Sequence, residues 1–238
     1  MINTWNESLL HEELKEYFRG ENGRTEIPVD GSICDVVLED NSIVEVQTKN
    51  LGKLKKKLEK LLIDRKVNLV HPIARNTLIE TYSPEGILVS RRKSPKHGNV
   101  YQLFHELTGI WQLVKNPNLT ISVIETDILE LRIADGTGSW RRKGIRTDDR
   151  KLIRIHEIRK FRGEADFRAL VPGSLGASFT AADLGQAGAG INAGRMAWVL
   201  RKIGILELSG KRGRAFLYRL RPSDENRDRD ENLRAGTF

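Results

Sequence analysis

The stretch Cys34–Lys49, CDVVLEDNSIVEVQTK, places carboxylates where a strand usually carries valine or isoleucine. Asp35 opens the first of two short apolar runs, and Glu45 interrupts the second. The Asp40-Asn41 turn between the runs predicts a hairpin that brings Asp35 towards Glu45. Two carboxylates and a neighbouring carbonyl, here that of Val46, form a hard oxygen site suited to Mg²⁺ or Mn²⁺. Such an ion polarises a phosphate and lowers the pKa of an attacking water, so the pattern favours phosphodiester hydrolysis.

The segments around this hairpin predict the elements that must position it. Helical spacing of leucines predicts amphipathic helices over residues 7–18 and 50–64, and a third helix is predicted around 99–114. Strands are predicted over residues 25–29, 33–38, 43–48, 67–74 and within 119–134. Because the helix at 50–64 separates two of these strands, the strands are predicted to pair in parallel. The fold class is therefore α/β, with helices flanking a mixed sheet.

The order Asp, turn, Glu, helix resembles the core of the PD-(D/E)xK nuclease superfamily across about residues 7–75. That superfamily includes restriction endonucleases, Holliday-junction resolvases and repair nucleases. The resemblance implies a restriction-endonuclease-like sheet in which Asp35 and Glu45 ligate the metal and take part in catalysis. It also implies a third carboxylate from the N-terminal helix, for which Glu12 is the first choice and Glu13 and Glu26 are alternatives.

Gln47 stands where the superfamily pattern has a lysine. An amide can bind a phosphate or a water through hydrogen bonds, but it carries no positive charge. Lys49 lies two residues later, on the same face if the strand continues, and Lys53 lies one helical turn beyond. The expected catalytic residues are therefore Asp35, Glu45, Gln47 and Lys49, and the assignment of the lysine's role stays open.

The pattern changes after the predicted nuclease-like domain, residues 1–138. Residues 139–169 are predicted to form a basic linker and helix, with the helix over 150–161, and residues 223–238 a disordered tail. Between them, residues 170–222 predict two helices and a basic hairpin around Gly210–Gly213, which resembles a winged helix-turn-helix domain. The buried face of its second helix is predicted to comprise Met196, Trp198, Val199, Leu200 and Ile203.

The net charge of +8 over 238 residues favours a polyanionic partner, and DNA is the partner predicted. No segment is typical of a signal peptide or a membrane span, and a single cysteine, Cys34, suits a reducing cytoplasm. The basic residues predicted to contact DNA are Arg141, Arg142, Lys143, Arg195, Arg201, Lys202, Lys211, Arg212 and Arg214.

The favoured function is a Mg²⁺- or Mn²⁺-dependent DNA endonuclease of the restriction, repair or junction-processing type, held on DNA by a winged helix. The alternative is a non-catalytic DNA-binding regulator on a degenerate nuclease fold, which Gln47 favours. RNA binding or processing fits the charge equally well. Because winged helices also dimerise, the resemblance allows a homodimer.

Overall fold

The structure, a computed structural model, describes residues 8–222, which divide into two units between Gly163 and Glu164. The first residue of the helix predicted over 7–18 and the tail predicted over 223–238 lie outside the described residues. The first unit continues beyond residue 138, the predicted end of the nuclease-like domain, through a strand that occupies much of the predicted linker. No helix within residues 8–222 has the length and apolarity needed to cross a membrane.

The first unit begins with a helix and an antiparallel meander. Helix α1 (Leu9–Arg19) is capped by Ser8, whose hydroxyl accepts a hydrogen bond from the His11 N–H. Strands β1 (Arg24–Val29), β2 (Ser32–Val37) and β3 (Ile43–Val46) follow as antiparallel neighbours. The turn between β2 and β3 contains Asn41 at a φ of 59°, a left-handed conformation that asparagine adopts more readily than most residues. The predicted hairpin is confirmed.

A helical crossover follows β3. It comprises a 3₁₀ helix (Leu51–Leu54) and helix α2 (Lys55–Leu61), and it leads into strand β4 (Val67–Tyr82), which pairs with β3 in parallel. Leu51, Leu58 and Leu61 are fully buried, so the predicted leucine face is the face that packs. The β-α-β prediction is confirmed, although β4 continues well beyond its predicted end at residue 74.

Long strands complete the sheet of the first unit. Strand β5 (Leu88–Lys93) pairs with the outer half of β4, and helix α3 (Leu103–Leu107) follows, flanked by 3₁₀ turns in place of the longer helix predicted around 99–114. Strand β6 (Leu119–Ile133) lies parallel to β4, and β7 (Arg146–Phe161) lies antiparallel to β6. The strand order is β1-β2-β3-β4-β6-β7, with β5 beside β4, so the predicted mixed sheet is confirmed.

Strand β7 corrects the helix predicted over residues 150–161. Its half-buried apolar residues Leu152, Ile155 and Ile158 recur every three positions, which is a helical spacing. In the structure they pair with Ile128, Thr126 and Ile124, which alternate along one face of β6. Register shifts between these pairs insert extra residues into β7, as β-bulges do, so a spacing of three replaces the usual spacing of two.

Helix α1 closes the core of the first unit. Leu10 and Leu14 pack into a cluster with the buried sheet residues Val36, Val44, Val46, Val70, Ile124 and Ile128. Leu152, Ile155 and Ile158 of β7 extend this cluster. The first unit therefore requires β7 to cover its core.

The second unit is a set of short helices followed by a hairpin. Helices α4 (Glu164–Arg168) and α5 (Ala181–Leu184) precede α6 (Ala193–Lys202), and strands β8 (Leu206–Arg212) and β9 (Ala215–Leu220) form the hairpin. Thr180 and Asp183 form a capping box at α5, in which the side chain of each accepts a hydrogen bond from the backbone N–H of the other. An isolated β-bridge joins Phe179 to Tyr218.

Two details of the second unit differ from prediction. Trp198 is 40% exposed, whereas Met196, Val199, Leu200 and Ile203 are buried as expected. Trp198 lies on the solvent-facing side of α6, and Nζ of Lys202 lies 5.6 Å from the centroid of its ring. The hairpin turn lies at residues 213–214, because Arg212 pairs with Ala215, and Gly210 occupies a bulge in β8.

We expect a chain ending at Gly163 to unfold cooperatively, and a chain ending at residue 138 to lack a cooperative transition. The shorter chain loses β7, which leaves the edge of β6 unpaired and uncovers Ile124 and Ile128. Urea denaturation followed by circular dichroism measures both, with the chain ending at residue 222 as the control. A cooperative transition at an unchanged midpoint in the shorter chain would contradict the role assigned to β7.

Candidate functional site

Asp35 and Glu45 face each other across the β2–β3 pair. The registers Val36–Val44 and Val37–Ile43 place the two acids directly opposite. The Val46 N–H donates a hydrogen bond to Asp35 Oδ2 at 2.7 Å, and the Asp35 N–H donates to Glu45 Oε1 at 3.3 Å. Each acid is thus held by the backbone of the opposite strand. Asp35 is half-buried, and Glu45 is 1% exposed.

Lys57 of helix α2 supplies the positive charge of this site. Its Nζ lies 2.5 Å from Glu45 Oε2 and also donates to the Ile33 carbonyl at 2.6 Å. The sequence carries a signal for this placement. Lys57 lies three residues after Leu54 and four before Leu61, so it belongs to the apolar face of the helix, whereas Lys56 is exposed. The prediction assigned the lysine's role to Gln47, Lys49 or Lys53 and missed Lys57.

His11 of helix α1 reaches the other acid. Its Nε2 lies 3.2 Å from Asp35 Oδ2, and both residues are half-buried. His11 also lies three residues before Leu14, on the edge of the apolar face of α1. The side chain that α1 brings to the acids is therefore an imidazole, which the sequence analysis did not predict, and not the predicted carboxylate.

The acids predicted to complete the site lie elsewhere. Glu12 and Glu26 both accept hydrogen bonds from Lys15, whose own side chain is buried, and Glu13 accepts one from the Leu152 N–H. Among residues 8–222, no group of three or more His, Cys, Asp or Glu side chains is arranged to hold a metal ion. The converging carboxylates are therefore the Asp35–Glu45 pair.

Gln47 and Lys49 lie where β3 leaves the sheet. The Gln47 side-chain amide donates to the Lys49 carbonyl at 2.5 Å, and the Gln47 carbonyl lies 2.8 Å from Nδ1 of His71. His71 is buried, and burial lowers its pKa. Gln47 therefore shapes the end of β3 through its own hydrogen bonds, while the Lys49 side chain is exposed to solvent.

A polar cleft of about 710 Å³ opens beside the pair. Its walls come from the N-terminus of α1, the end of β3 and the start of β7. His11 and Val46, which both contact Asp35, belong to this lining, and so do Gln47 and Lys49. Asp35 and Glu45 do not themselves line the cleft, but Asp35 is separated from it only by the side chain and backbone that it contacts, and the space is large enough for a small charged ligand.

The environment moves the two carboxyl pKa values apart. Burial, reinforced by the charge of Asp35, raises the pKa of Glu45 to about 7, and Lys57 opposes this rise. Burial would also raise the pKa of Asp35, but hydrogen bonds from His11 and the Val46 N–H outweigh it and lower that pKa. Two acids with separated pKa values can divide the work of an acid and a base, or share a cation.

The basic residues predicted to contact DNA are all exposed. Arg141, Arg142 and Lys143 lie in the first unit, in the loop between β6 and β7. In the second unit, Arg195, Arg201 and Lys202 lie on α6, and Lys211, Arg212 and Arg214 lie at the hairpin tip. Arg212 also pairs with Asp183 at 3.2 Å.

Comparison with known proteins gives relatives whose names assign no activity. Residues 8–162 match a family described as a domain of unknown function (DUF8091). A relative in Treponema pallidum (strain Nichols), described as an uncharacterized protein, is 36% identical over 226 residues, which cover 95% of this chain and 90% of the relative. No solved structure matches the chain. The family match includes His11, Asp35, Glu45 and Lys57.

Replacing Glu45 with glutamine should change how stability depends on pH. A carboxyl whose pKa is raised by folding stabilises the fold fully below its ordinary value of 4.5, and this contribution is lost as the pH rises through about 7. Glutamine resembles the protonated acid at every pH. Relative to Glu45→Gln, the wild type should therefore lose roughly 3 kcal/mol of unfolding free energy between pH 4.5 and 8.

Urea denaturation in a chelating buffer measures this difference. Glu39→Gln, at an exposed position of the same hairpin, is the control and should follow the wild-type profile. A wild-type profile parallel to that of Glu45→Gln would mean that Glu45 is ionised throughout this range.

Proposed function

Because the chain belongs to the family described as a domain of unknown function (DUF8091), whose name assigns no activity, we propose a function from the geometry of the site. The function is metal-dependent hydrolysis of nucleic-acid phosphodiester bonds, with DNA as the substrate. The observation that carries it is the Asp35–Glu45 pair, opposed across two strands, with the Lys57 ammonium on one acid and a polar cleft beside the other.

The element order supports the likeness to PD-(D/E)xK nucleases. Asp35 on β2, Glu45 on the antiparallel neighbour β3 and helix α2 directly after them follow the order of the superfamily pattern, and helix α1 precedes them. In this proposal, Lys57 takes the role of the missing lysine from the helix, and Gln47 needs no charge. The restriction-endonuclease-like fold is therefore part of the proposal.

The residues present fit a divalent cation by the chemistry of their donors. Asp35 and Glu45 would hold it, with the Val46 carbonyl as a further oxygen. Burial next to Asp35 makes the negative form of Glu45 costly, and a bound cation would relieve that cost. Magnesium commonly uses one or two carboxylates and completes its coordination with water and substrate phosphate, so a third acid is not required. The bound ion would polarise the phosphate and activate a water.

The remaining groups have separate roles in this proposal. Lys57 stabilises negative charge on the phosphate, as a cation placed close to a reacting oxygen does. His11 holds Asp35 in its orientation through the contact with Oδ2. Gln47 and Lys49 line the cleft, where an amide and an ammonium can bind phosphate oxygens.

The second unit is proposed to be a winged helix that holds DNA. The order α5, α6, hairpin and the β-bridge between Phe179 and Tyr218 support this assignment. The exposed cations on α6 and at the hairpin tip support a phosphate-binding surface. The cytoplasm is the proposed compartment, because the single cysteine, Cys34, is a buried free thiol.

A second candidate function is DNA binding without catalysis. The observation that favours it is the same Lys57–Glu45 contact, because an ammonium 2.5 Å from one carboxylate oxygen neutralises charge that a metal would otherwise use. In that case Lys57 and Glu45 form a structural ion pair, and the exposed basic residues alone account for the DNA binding.

Lys57→Met should lower the rate of Mg²⁺-dependent cleavage by about 10²- to 10³-fold, because it removes the charge that stabilises the phosphate. Lys56→Met removes the same charge from the adjacent exposed position and should cleave at the wild-type rate. Glu45→Ala should abolish cleavage yet leave metal-free DNA affinity nearly unchanged, because affinity comes from cations on phosphates.

The measurement is nicking of plasmid, branched and single-stranded DNA in Mg²⁺ or Mn²⁺, with metal-free binding followed in parallel. Equal effects of Lys56→Met and Lys57→Met would contradict the role of Lys57. Tight binding without cleavage of any substrate by the unaltered protein would favour the non-catalytic function.

Neutralising Lys211, Arg212 and Arg214 together should reduce the salt slope of DNA binding by about 2–3, at roughly 0.9 for each lost phosphate contact. The control exchanges lysine for arginine and arginine for lysine at the same positions, which preserves charge and should preserve the slope. Fluorescence anisotropy over a salt series measures both. An unchanged slope in the neutralised variant would mean that the hairpin tip does not contact the DNA backbone.

A further inference from the structure

The aromatic side chain of Trp140 is exposed to solvent in the folded protein. It lies in the loop between β6 and β7, at residues 134–145, and it is 84% exposed. Scattered exposed aliphatic residues are ordinary, but tryptophan offers the largest apolar surface of any side chain and is usually largely buried. The packing of the first unit therefore provides no reason for its position.

The loop holds Trp140 outward on a closely packed backbone. The Gly138 N–H donates to the Gly144 carbonyl at 2.8 Å, and the Lys143 N–H donates to the Trp140 carbonyl at 3.0 Å. A Cβ at Gly138 would lie 2.2 Å from the Ile145 carbonyl carbon, so the two sides of the loop touch. Lys143 has a φ of 51°. The ring is thus presented by a closed turn with internal hydrogen bonds.

Positive charge surrounds the exposed ring. The Arg141 guanidinium carbon lies 5.7 Å from the ring centroid, within the range of a cation–π contact, and Arg142 and Lys143 follow in an exposed 3₁₀ turn. An aromatic face beside several cations is the combination with which proteins bind single-stranded nucleic acid. The cations attract the phosphates, and the ring stacks on a base.

The loop is joined to the wall of the cleft. Arg142 Nη1 donates to Thr147 Oγ1 at 2.9 Å, and Thr147 lines the same cleft as His11 and Gln47. A strand of nucleic acid whose phosphate enters the cleft would therefore reach Arg142, which lies two residues after Trp140 in the same loop. A duplex keeps its bases stacked inside, so the ring can stack only on a base that is unpaired or turned out.

We propose that Trp140 is a stacking platform for an unpaired nucleobase, so that the preferred substrate class is nucleic acid with a single-stranded segment next to the bond to be cleaved. This inference rests on the proposed function for the identity of the polyanion as nucleic acid. It adds a residue outside the acid pair and a preference for single strands over continuous duplex.

The test uses the full chain in a metal-free, chelating buffer, where cleavage cannot occur. Trp140→Ala should weaken binding to a single-stranded oligonucleotide by about 5- to 150-fold, the loss expected for one stacked base. Binding to a blunt duplex of the same length should change by less than about twofold, and the salt slope should be unchanged, because no cation is removed. Trp140→Phe should retain most of the affinity.

Ile63→Ala is the matched control, because Ile63 is an apolar residue of the same unit at 80% exposure. It should bind both oligonucleotides as the wild type does. Oligonucleotides of DNA and RNA with the same base order are compared, and vesicles of anionic phospholipid are a further arm. The proposal would be overturned if Trp140→Ala lost affinity equally for single strand and duplex, or lost none for single strand. A loss of affinity confined to vesicles would also overturn it.

Because the binding assay needs no metal, its outcome is separate from that of the cleavage assay. If the wild type cleaves no substrate but Trp140→Ala lowers the affinity for single strands, the result supports the stacking platform and contradicts the proposed nuclease activity. If the wild type cleaves duplex DNA and Trp140→Ala changes neither that rate nor the affinity for single strands, the result supports the nuclease activity and contradicts the stacking platform.

Discussion

The contact between Lys57 and Glu45 sets the arrangement of the first unit around its site. Glu45 is buried in the middle of β3, where an ionised carboxylate is costly unless it is paired and hydrogen-bonded. Lys57 and the Asp35 N–H provide those partners, and Lys57 also donates to the Ile33 carbonyl. Because Lys57 belongs to α2, this contact attaches the crossover helix to β2 and β3. The same helix connects β3 to its parallel neighbour β4.

Such a contact is a poor way to stabilise a fold. A buried ion pair often contributes no more than an apolar pair of the same size, although removing one partner typically costs about 3–5 kcal/mol. The exposed ring of Trp140 presents the same problem at the surface, since burial would stabilise it more than solvent does. Both features lie near residues of one cleft. Glu45 faces Asp35, which contacts the lining residues His11 and Val46. Arg142, in the same loop as Trp140, donates to the lining residue Thr147. That coincidence is the physical reason for treating them as parts of one binding region.

The success of sequence reasoning followed the range of the interactions involved. The turn at Asn41, the leucine face of α2 and the parallel pairing of β4 depend on local conformation and short connections, and all three were predictable. Strand β7 was not predictable, because its bulges are defined against β6 and give its apolar residues a helical spacing. The residues of β7 were consequently predicted to belong to a linker and helix between the units and not to the sheet of the first.

The sequence by itself determined which acids converge, because a short hairpin with strand alternation places Asp35 opposite Glu45 wherever the sheet lies. Only the tertiary structure decided which other side chains join them. The rotation of α1 and α2 against the sheet directs His11 and Lys57 towards the acids. Glu12 instead accepts a hydrogen bond from Lys15, and Lys49, which follows β3, is exposed to solvent. A hairpin aligns its two strands through adjacent hydrogen bonds, but a helix is oriented by the packing of its whole apolar face, so its polar residues are assigned only when that face docks.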